Sequence, residues 1–116
     1  MTTQETNKLI AEFMGMTNDV PHNKSMMIFK TEQGYNDVIS INELQYHISW
    51  DWLMPVVERI EEAEDLMSQE KFIRIEYDVC IIPHHKGEIT EYGMTKIEAT
   101  YKAVVQFIEY YNNLNK

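Results

Sequence analysis

Two stretches decide the fold: YHISWDWLMPVVE at residues 46–58 and TKIEATYKAVVQFI at residues 95–108. Each places apolar residues at helical spacing, with charged residues on the other side, which is typical of a helix that covers a sheet. Thr95 and Glu98 form a capping box that predicts the start of the later helix. Few of these side chains could carry out chemistry, so both stretches predict a scaffold.

The earlier of these helices is predicted to begin near Ser49 or Asp51, because either side chain can cap a helix. Pro55 favours the later start, since proline is tolerated in a first turn and disruptive beyond it. The helix is predicted to end near Ser68. Its predicted buried stripe contains Leu53, Val56, Val57, Ile60, Ala63 and Met67. The predicted stripe of the last helix contains Ile97, Tyr101, Val104, Val105, Ile108 and Tyr111.

Residues 71–82 alternate between apolar and mostly polar side chains, which predicts one half-buried strand. Its predicted apolar face contains Ile73, Ile75, Tyr77, Val79 and Ile81. Residues 83–87 are a predicted turn, and residues 88–92 are predicted to return as a hairpin partner. Two shorter strands are predicted at residues 25–30 and 37–41.

A further helix is predicted at residues 3–14, where Thr2 and Glu5 form a capping box and Gly15 marks the end. These elements together predict an α+β fold in a single domain, residues 1–116. We expect an antiparallel sheet of three to four strands. The two long helices are expected to cover its apolar face, and the N-terminal helix to pack at an edge or on the other face.

The charge of the chain restricts its partners. The 116 residues include ten basic and nineteen acidic side chains, which gives a net charge of −9. Such a chain repels phosphate, so the sequence predicts no direct nucleic-acid binding and is compatible with a basic partner protein. The single cysteine, Cys80, excludes an intrachain disulfide and fits a reducing compartment. With no signal peptide and no membrane span in the sequence, we expect a soluble cytoplasmic protein with no membrane partner.

The order of elements resembles that of a known group of proteins. The runs LIAEFMGM at residues 9–16, SWDWLMPVVE at residues 49–58 and IEATYKAVV at residues 97–105 are similar to small phage and prophage proteins, especially from phages of Bacteroidetes hosts. The group includes proteins with the phage ABA sandwich domain. The resemblance implies a small phage or prophage protein. The shared runs are structural, so the resemblance brings no catalytic residue. Arg74, Glu76 and Asp78 depart from the sandwich pattern, because a second helical layer would need an apolar face there.

An acidic run on the earlier long helix is the candidate partner-binding surface. It consists of Glu58, Glu61, Glu62 and Asp65. Trp50 is the candidate anchor, since exposed tryptophans are enriched at binding hot spots. Two interpretations of the acids stay open: a solvated helix face, or an electrostatic surface for a basic partner. Two interpretations also stay open for the tryptophans. Either Trp50 reaches the surface, or Trp50 closes over the preceding strand while Trp52 packs into the core.

An alternative small-ligand site consists of the groups that could meet a phosphate: Arg74, His84, His85 and Lys86. A protein of this kind would sequester a nucleotide signal at a subunit interface, and the sequence leaves a homo-oligomer open. Cys80 and the histidines match neither an established metal-ligand spacing nor an activated nucleophile. We therefore expect no metal, no cofactor and no catalytic residue.

These observations favour a non-enzymatic phage or prophage accessory protein. It would bind and inhibit a host defence component through its acidic surface, in the host cytoplasm. A CRISPR effector is an attractive target for such an anti-CRISPR protein, because the nucleic-acid channel of the effector is positively charged.

Overall fold

The computed structural model describes residues 1–20, 23–63, 73–84 and 86–114. Within these ranges it contains three α-helices, one short 3-10 helix and five strands in two antiparallel sheets, so the predicted α+β class is confirmed. The chain divides into two compact units, Met1–Gln45 and Tyr46–Lys116, and each is described by itself. The assignment to a single domain stays a prediction. None of the helices in the described ranges combines the length and apolarity that a membrane crossing requires.

The first unit begins with α1 (Thr3–Phe13), one residue shorter than predicted. The Thr2 hydroxyl accepts a hydrogen bond from the Glu5 amide at 3.1 Å, which confirms this part of the predicted cap. The helix ends before Gly15, whose φ of 94° lies in the left-handed region that glycine tolerates. α1 packs against the 3-10 helix Ile41–Glu43, and the buried Asn7 donates its side-chain amide to the Leu44 carbonyl at 3.1 Å.

The strands of the first unit are β1 (Met26–Lys30) and β2 (Asn36–Ser40). Both short predicted strands are therefore present, within a residue of their predicted ends. They pair with each other in a separate two-stranded sheet, with Ile28 opposite Val38, rather than joining the main sheet as predicted. Thr17 pairs with the other edge of β1 through two backbone hydrogen bonds to Ile28.

The second unit begins with α2 (Trp50–Glu61), which starts where the sequence predicted but ends well before Ser68. Its N-cap residue is Ser49, whose side chain makes no capping hydrogen bond, so the predicted cap is corrected. Leu53, Val56, Val57 and Ile60 are buried as predicted. Ala63 is half-buried beyond the helix, and Met67 lies outside the described residues. Pro55 lies in the second turn, so the predicted first-turn position is wrong. Proline has no amide hydrogen, so the Asp51 carbonyl lacks the hydrogen-bond donor that it would have in a regular helix. Asp51 and Pro55 are both exposed, so water can donate to this carbonyl instead.

The single strand predicted over residues 71–82 is wrong. The chain forms β3 (Arg74–Glu76), reverses at Tyr77 and Asp78, and returns as β4 (Val79–His84). Glu76 pairs with Val79 and Ile75 with Cys80 across this two-residue turn. Residues that oppose each other share a sheet face, so the face of Ile75 continues with Cys80 and Ile82 instead of the predicted Val79 and Ile81.

The predicted hairpin after β4 is confirmed, with a shorter turn. β5 (Gly87–Tyr92) pairs with β4 from His84 opposite Gly87 to Val79 opposite Tyr92. The strand order is therefore β3-β4-β5. Pro83 and His84 belong to β4 and Gly87 to β5, so the turn is narrower than residues 83–87; His85 lies outside the described residues.

The last helix, α3 (Lys96–Leu114), covers the sheet and contacts all three of its strands. The Thr95 hydroxyl accepts from the Glu98 amide at 3.2 Å, as the predicted capping box requires. Its buried residues are Ala99, Thr100, Ala103, Val104, Phe107 and Ile108. The predicted stripe is thus wrong by about a quarter of a turn: Val104 and Ile108 are buried, but Ile97, Tyr101, Val105 and Tyr111 are half-buried. Ala99, Thr100 and Ala103 are small, so they let this part of the helix pack closely against its neighbours, while Phe107 and Ile108 fill the core further along.

α2 has 12 residues and packs mainly against α3, which has 19. The prediction that two long helices cover one sheet is therefore corrected. α3 alone forms the main cover of the three-stranded sheet, and α2 forms a further layer on α3.

Gly93, between β5 and α3, should tolerate no side chain. A Cβ there would lie 2.6 Å from the Ala99 amide nitrogen and 2.9 Å from Glu98 Cβ. We predict that Gly93→Ala lowers the free energy of unfolding by about 1–3 kcal/mol, because backbone atoms of α3 must shift. Chemical denaturation measures this change. The exposed neighbour provides the control, since Met94→Ala should change stability by less than about 0.5 kcal/mol. Equal stability of the two variants would contradict the prediction.

Candidate functional site

The solvent-facing side of α2 combines apolar and acidic residues. Trp50, Met54, Glu58 and Glu62 follow one another at intervals of four, so they lie along one side of the helix. Trp50 and Met54 are 37% and 38% exposed, and Ile48, just before the helix, is 65% exposed. We call these five residues the α2 outer face. Its beginning is apolar, and its end is acidic.

Trp50 and Trp52 differ in exposure, and Trp50 reaches the surface as one of the two interpretations predicted. Trp52 is half-buried and makes an edge-to-face contact with the buried Tyr46, with ring centroids 5.2 Å apart and an interplanar angle of 89°. Trp50 points away from this contact, since residues two apart do not share a helix face. The structure therefore places Trp50 on the surface, where a partner could reach it.

Glu58 and Glu62 are exposed at the end of α2 where the helix dipole is negative. They are also four residues apart, so their like charges repel. Arg59 is the basic residue in this last turn. Both effects destabilise the helix by a few tenths of a kcal/mol, up to about 1 kcal/mol each. These acids therefore lie where local stability disfavours them.

Glu61 has a different role from its acidic neighbours. Its carboxylate accepts a hydrogen bond from the Ile73 amide at 2.9 Å, and the side chain is half-buried. This bond joins the end of α2 to the residue before β3. The structure thus separates Glu61 from the predicted partner-binding set. Asp65, the remaining predicted member, lies outside the described residues.

Sequence reasoning missed Ile48 and Met54 as members of this face. A signal was present for Met54, because it lies four residues after Trp50 and outside the predicted buried stripe.

The alternative ligand residues do not converge. Arg74 opposes Ile81, so it lies on the outer face of the sheet and is exposed. His84 lies on the face toward α3, where its ring centroid is 4.6 Å from that of Tyr110. The His84 Nδ1 atom accepts from the Lys86 amide at 3.3 Å. His85 lies outside the described residues. Arg74 and His84 of one chain are therefore on opposite sheet faces and do not converge on one phosphate.

Cys80 is fully buried between β4 and α3. Burial raises the pKa of its thiol from 9.0 to about 11, and the hydrogen bond with Thr100 opposes this in part. The thiol is therefore protonated at neutral pH, which disfavours nucleophilic attack by this residue. Within the described residues, no three histidine, cysteine, aspartate or glutamate side chains come together as a metal site.

Comparison with protein-family models, with curated proteins and with solved structures finds no match for the chain. The resemblance to phage proteins therefore stays a prediction.

Removing the Glu61 side chain should destabilise the protein. We predict that Glu61→Ala lowers the free energy of unfolding by about 1.5–3 kcal/mol, because the Ile73 amide loses a charged acceptor. Glu61→Gln keeps a neutral acceptor and should lose less. Chemical denaturation of both variants is compared with that of Glu62→Ala, the matched change at the exposed neighbour. If Glu61→Ala and Glu62→Ala are equally stable, the hydrogen bond between Glu61 and the Ile73 amide does not stabilise the fold.

The protein should lose stability at alkaline pH. Burial raises the pKa of Tyr46 from 10.0 to about 12, as it raises that of Cys80 from 9.0 to about 11. The unfolded chain releases these protons at lower pH than the folded chain, so the free energy of unfolding should fall as pH rises from 9.0 to about 12. Denaturation midpoints across this range measure the loss. Cys80→Ala and Tyr46→Phe should each flatten part of the curve, and an unchanged slope in both variants would contradict the assignment.

Proposed function

We propose that this protein acts by binding, without a reaction of its own, and occupies a basic surface of another protein through the α2 outer face. One observation carries the proposal: a single exposed side of α2 joins Trp50 and Met54 to Glu58 and Glu62, and the exposed Ile48 lies just before this helix. Interfaces combine apolar anchors with a charged rim in this way.

The two ends of the face would contribute differently to binding. Trp50 and Met54 offer contact area that can be removed from water, at about 25 cal/mol for each Å² of apolar surface buried. Tryptophan is enriched among residues whose truncation costs 2 kcal/mol or more, by the usual rough criterion for a hot spot. Glu58 and Glu62 would orient a basic partner and speed its association.

The placement of the acids favours binding over a stabilising role. Glu58 and Glu62 repel each other and the helix terminus, so neither improves the stability of the free protein. Natural proteins often keep locally unfavourable residues where function requires them. A partner that supplies arginine or lysine side chains would relieve this repulsion in the complex.

The biological setting that fits this surface is inhibition of a nucleic-acid-binding protein. The net charge of −9 matches a positively charged channel or groove. We therefore place the protein as a phage or prophage accessory protein that acts in the host cytoplasm against a defence effector, with a CRISPR nuclease as the leading target class.

Binding to a panel of purified nuclease effectors tests the proposal. At least one effector should bind the wild-type protein. Trp50→Ala should weaken that binding at least tenfold, because a hot-spot anchor is lost. The pair Glu58→Gln with Glu62→Gln should slow association and also raise stability slightly, since two unfavourable charges are removed. Calorimetry and stopped-flow association measure the two effects.

A matched control separates this surface from general acidity. Glu88→Gln with Glu109→Gln removes the same charge at two exposed positions of the second unit outside α2, one on β5 and one on α3. This control should leave binding nearly unchanged. The proposal is wrong if no effector binds, or if the control weakens binding as much as the α2 pair does. A melting-point increase with cyclic nucleotides, and no effector binding, would favour the small-ligand alternative instead.

A further inference from the structure

Three large apolar side chains are exposed at one end of the three-stranded sheet. Tyr77 is 85%, Tyr92 65% and Met94 91% exposed. They lie at the same end of the sheet, because Tyr92 opposes Val79, the first residue after the turn that contains Tyr77. The Gly93 amide also donates to the Asp78 carbonyl at 2.9 Å, which ties that turn to the end of β5. We call Tyr77, Tyr92 and Met94 the sheet-end patch.

The stability of the fold does not explain why position 77 is a tyrosine. Its φ of 50° is in the left-handed region, and it is the one residue other than glycine with a positive φ in the described part of the chain. Asparagine and glycine adopt this conformation at lower cost than an aromatic residue. The ring gains little from burial, because most of it is exposed. An exposed aromatic side chain in a strained turn instead suggests a contact with another molecule.

The charges around the patch are mainly negative. Glu76 and Asp78 flank Tyr77, and both are exposed. On the β5 side, residues 91–102 contain two acids and two lysines. One of these, Lys102, bonds to Glu98 at 3.1 Å and to the Tyr92 carbonyl at 3.3 Å. Glu76 and Asp78 thus place two acidic side chains next to Tyr77 in the chain, and the nearest basic residue on β3 is the exposed Arg74, two residues before Glu76 on the same strand face.

We propose that the sheet-end patch binds arginine side chains of an extended segment of a partner protein. Guanidinium groups stack on aromatic faces and are weakly hydrated, so Tyr77 and Tyr92 can each take one. Glu76 and Asp78 attract the same cation, and the Met94 thioether adds adaptable apolar contact. The acids disfavour a nucleic acid, and a purely apolar partner would not use them. The proposal stands on residues outside α2 and does not depend on the function proposed for the α2 outer face.

The test uses an acetylated peptide with three arginines separated by glycines, and the same peptide with citrulline in place of arginine. Citrulline keeps the shape and removes the charge. Amide chemical shifts of the full chain should move at residues 76–78 and 92–94 with the arginine peptide and stay in place with the citrulline peptide. Each exposed cation–π contact is worth a factor of about two to five in affinity, so Tyr77→Ala with Tyr92→Ala should weaken binding by about four- to twenty-fivefold.

Two further variants distinguish recognition from a structural role and from general charge attraction. Tyr77→Phe keeps the aromatic face and should retain binding. Tyr77→Asn fits the left-handed turn better, so it should raise the melting temperature while it weakens binding. The proposal fails if Tyr77→Asn lowers the melting temperature, because Tyr77 is then structural. It also fails if the double alanine variant binds like wild type, because general attraction to an acidic chain is then sufficient.

Discussion

The packing of α3 against one face of β3, β4 and β5 supports the rest of the second unit. Cys80 and Ile82 are fully buried on that face, as are Ala103 and Phe107 on the helix. Burying a large apolar side chain such as Phe107 stabilises the fold by about 1.5–3 kcal/mol. α2 then packs on α3, and the Glu61 carboxylate connects the end of α2 to the strand that follows. The positions of the exposed surfaces depend on this layer.

With these inward faces buried in the core, two surfaces that combine acidic and apolar residues remain among the described residues of the second unit. The α2 outer face is a regular helix side, whose residues repeat at intervals of four. The sheet-end patch instead depends on a tight turn and on the bond between the Gly93 amide and Asp78. Both combine aromatic or thioether groups with carboxylates, and both are therefore suited to cationic groups of a partner protein.

Local signals predicted the helices better than the strands. The helix starts were predictable because Thr2, Ser49 and Thr95 mark them within a few residues of sequence. The turn at Tyr77 and Asp78 was missed because it has no glycine or asparagine, the usual signals of such a turn. A two-residue turn also shifts the alternation by one residue, because Ile75 then shares a sheet face with Cys80 and not with Val79. Which strand faces were buried could not follow from that pattern.

The sequence by itself determined the α+β class, the starts of the helices, the acidity and the candidate anchor Trp50, because these follow from composition and from spacing within single elements. Tertiary structure decided which of the predicted residues belong together. It joined Glu61 to the backbone amide of Ile73, placed Arg74 and His84 on opposite sheet faces, and tied the turn that holds Tyr77 to the end of β5. Those relations depend on pairing between distant segments, which no local pattern encodes.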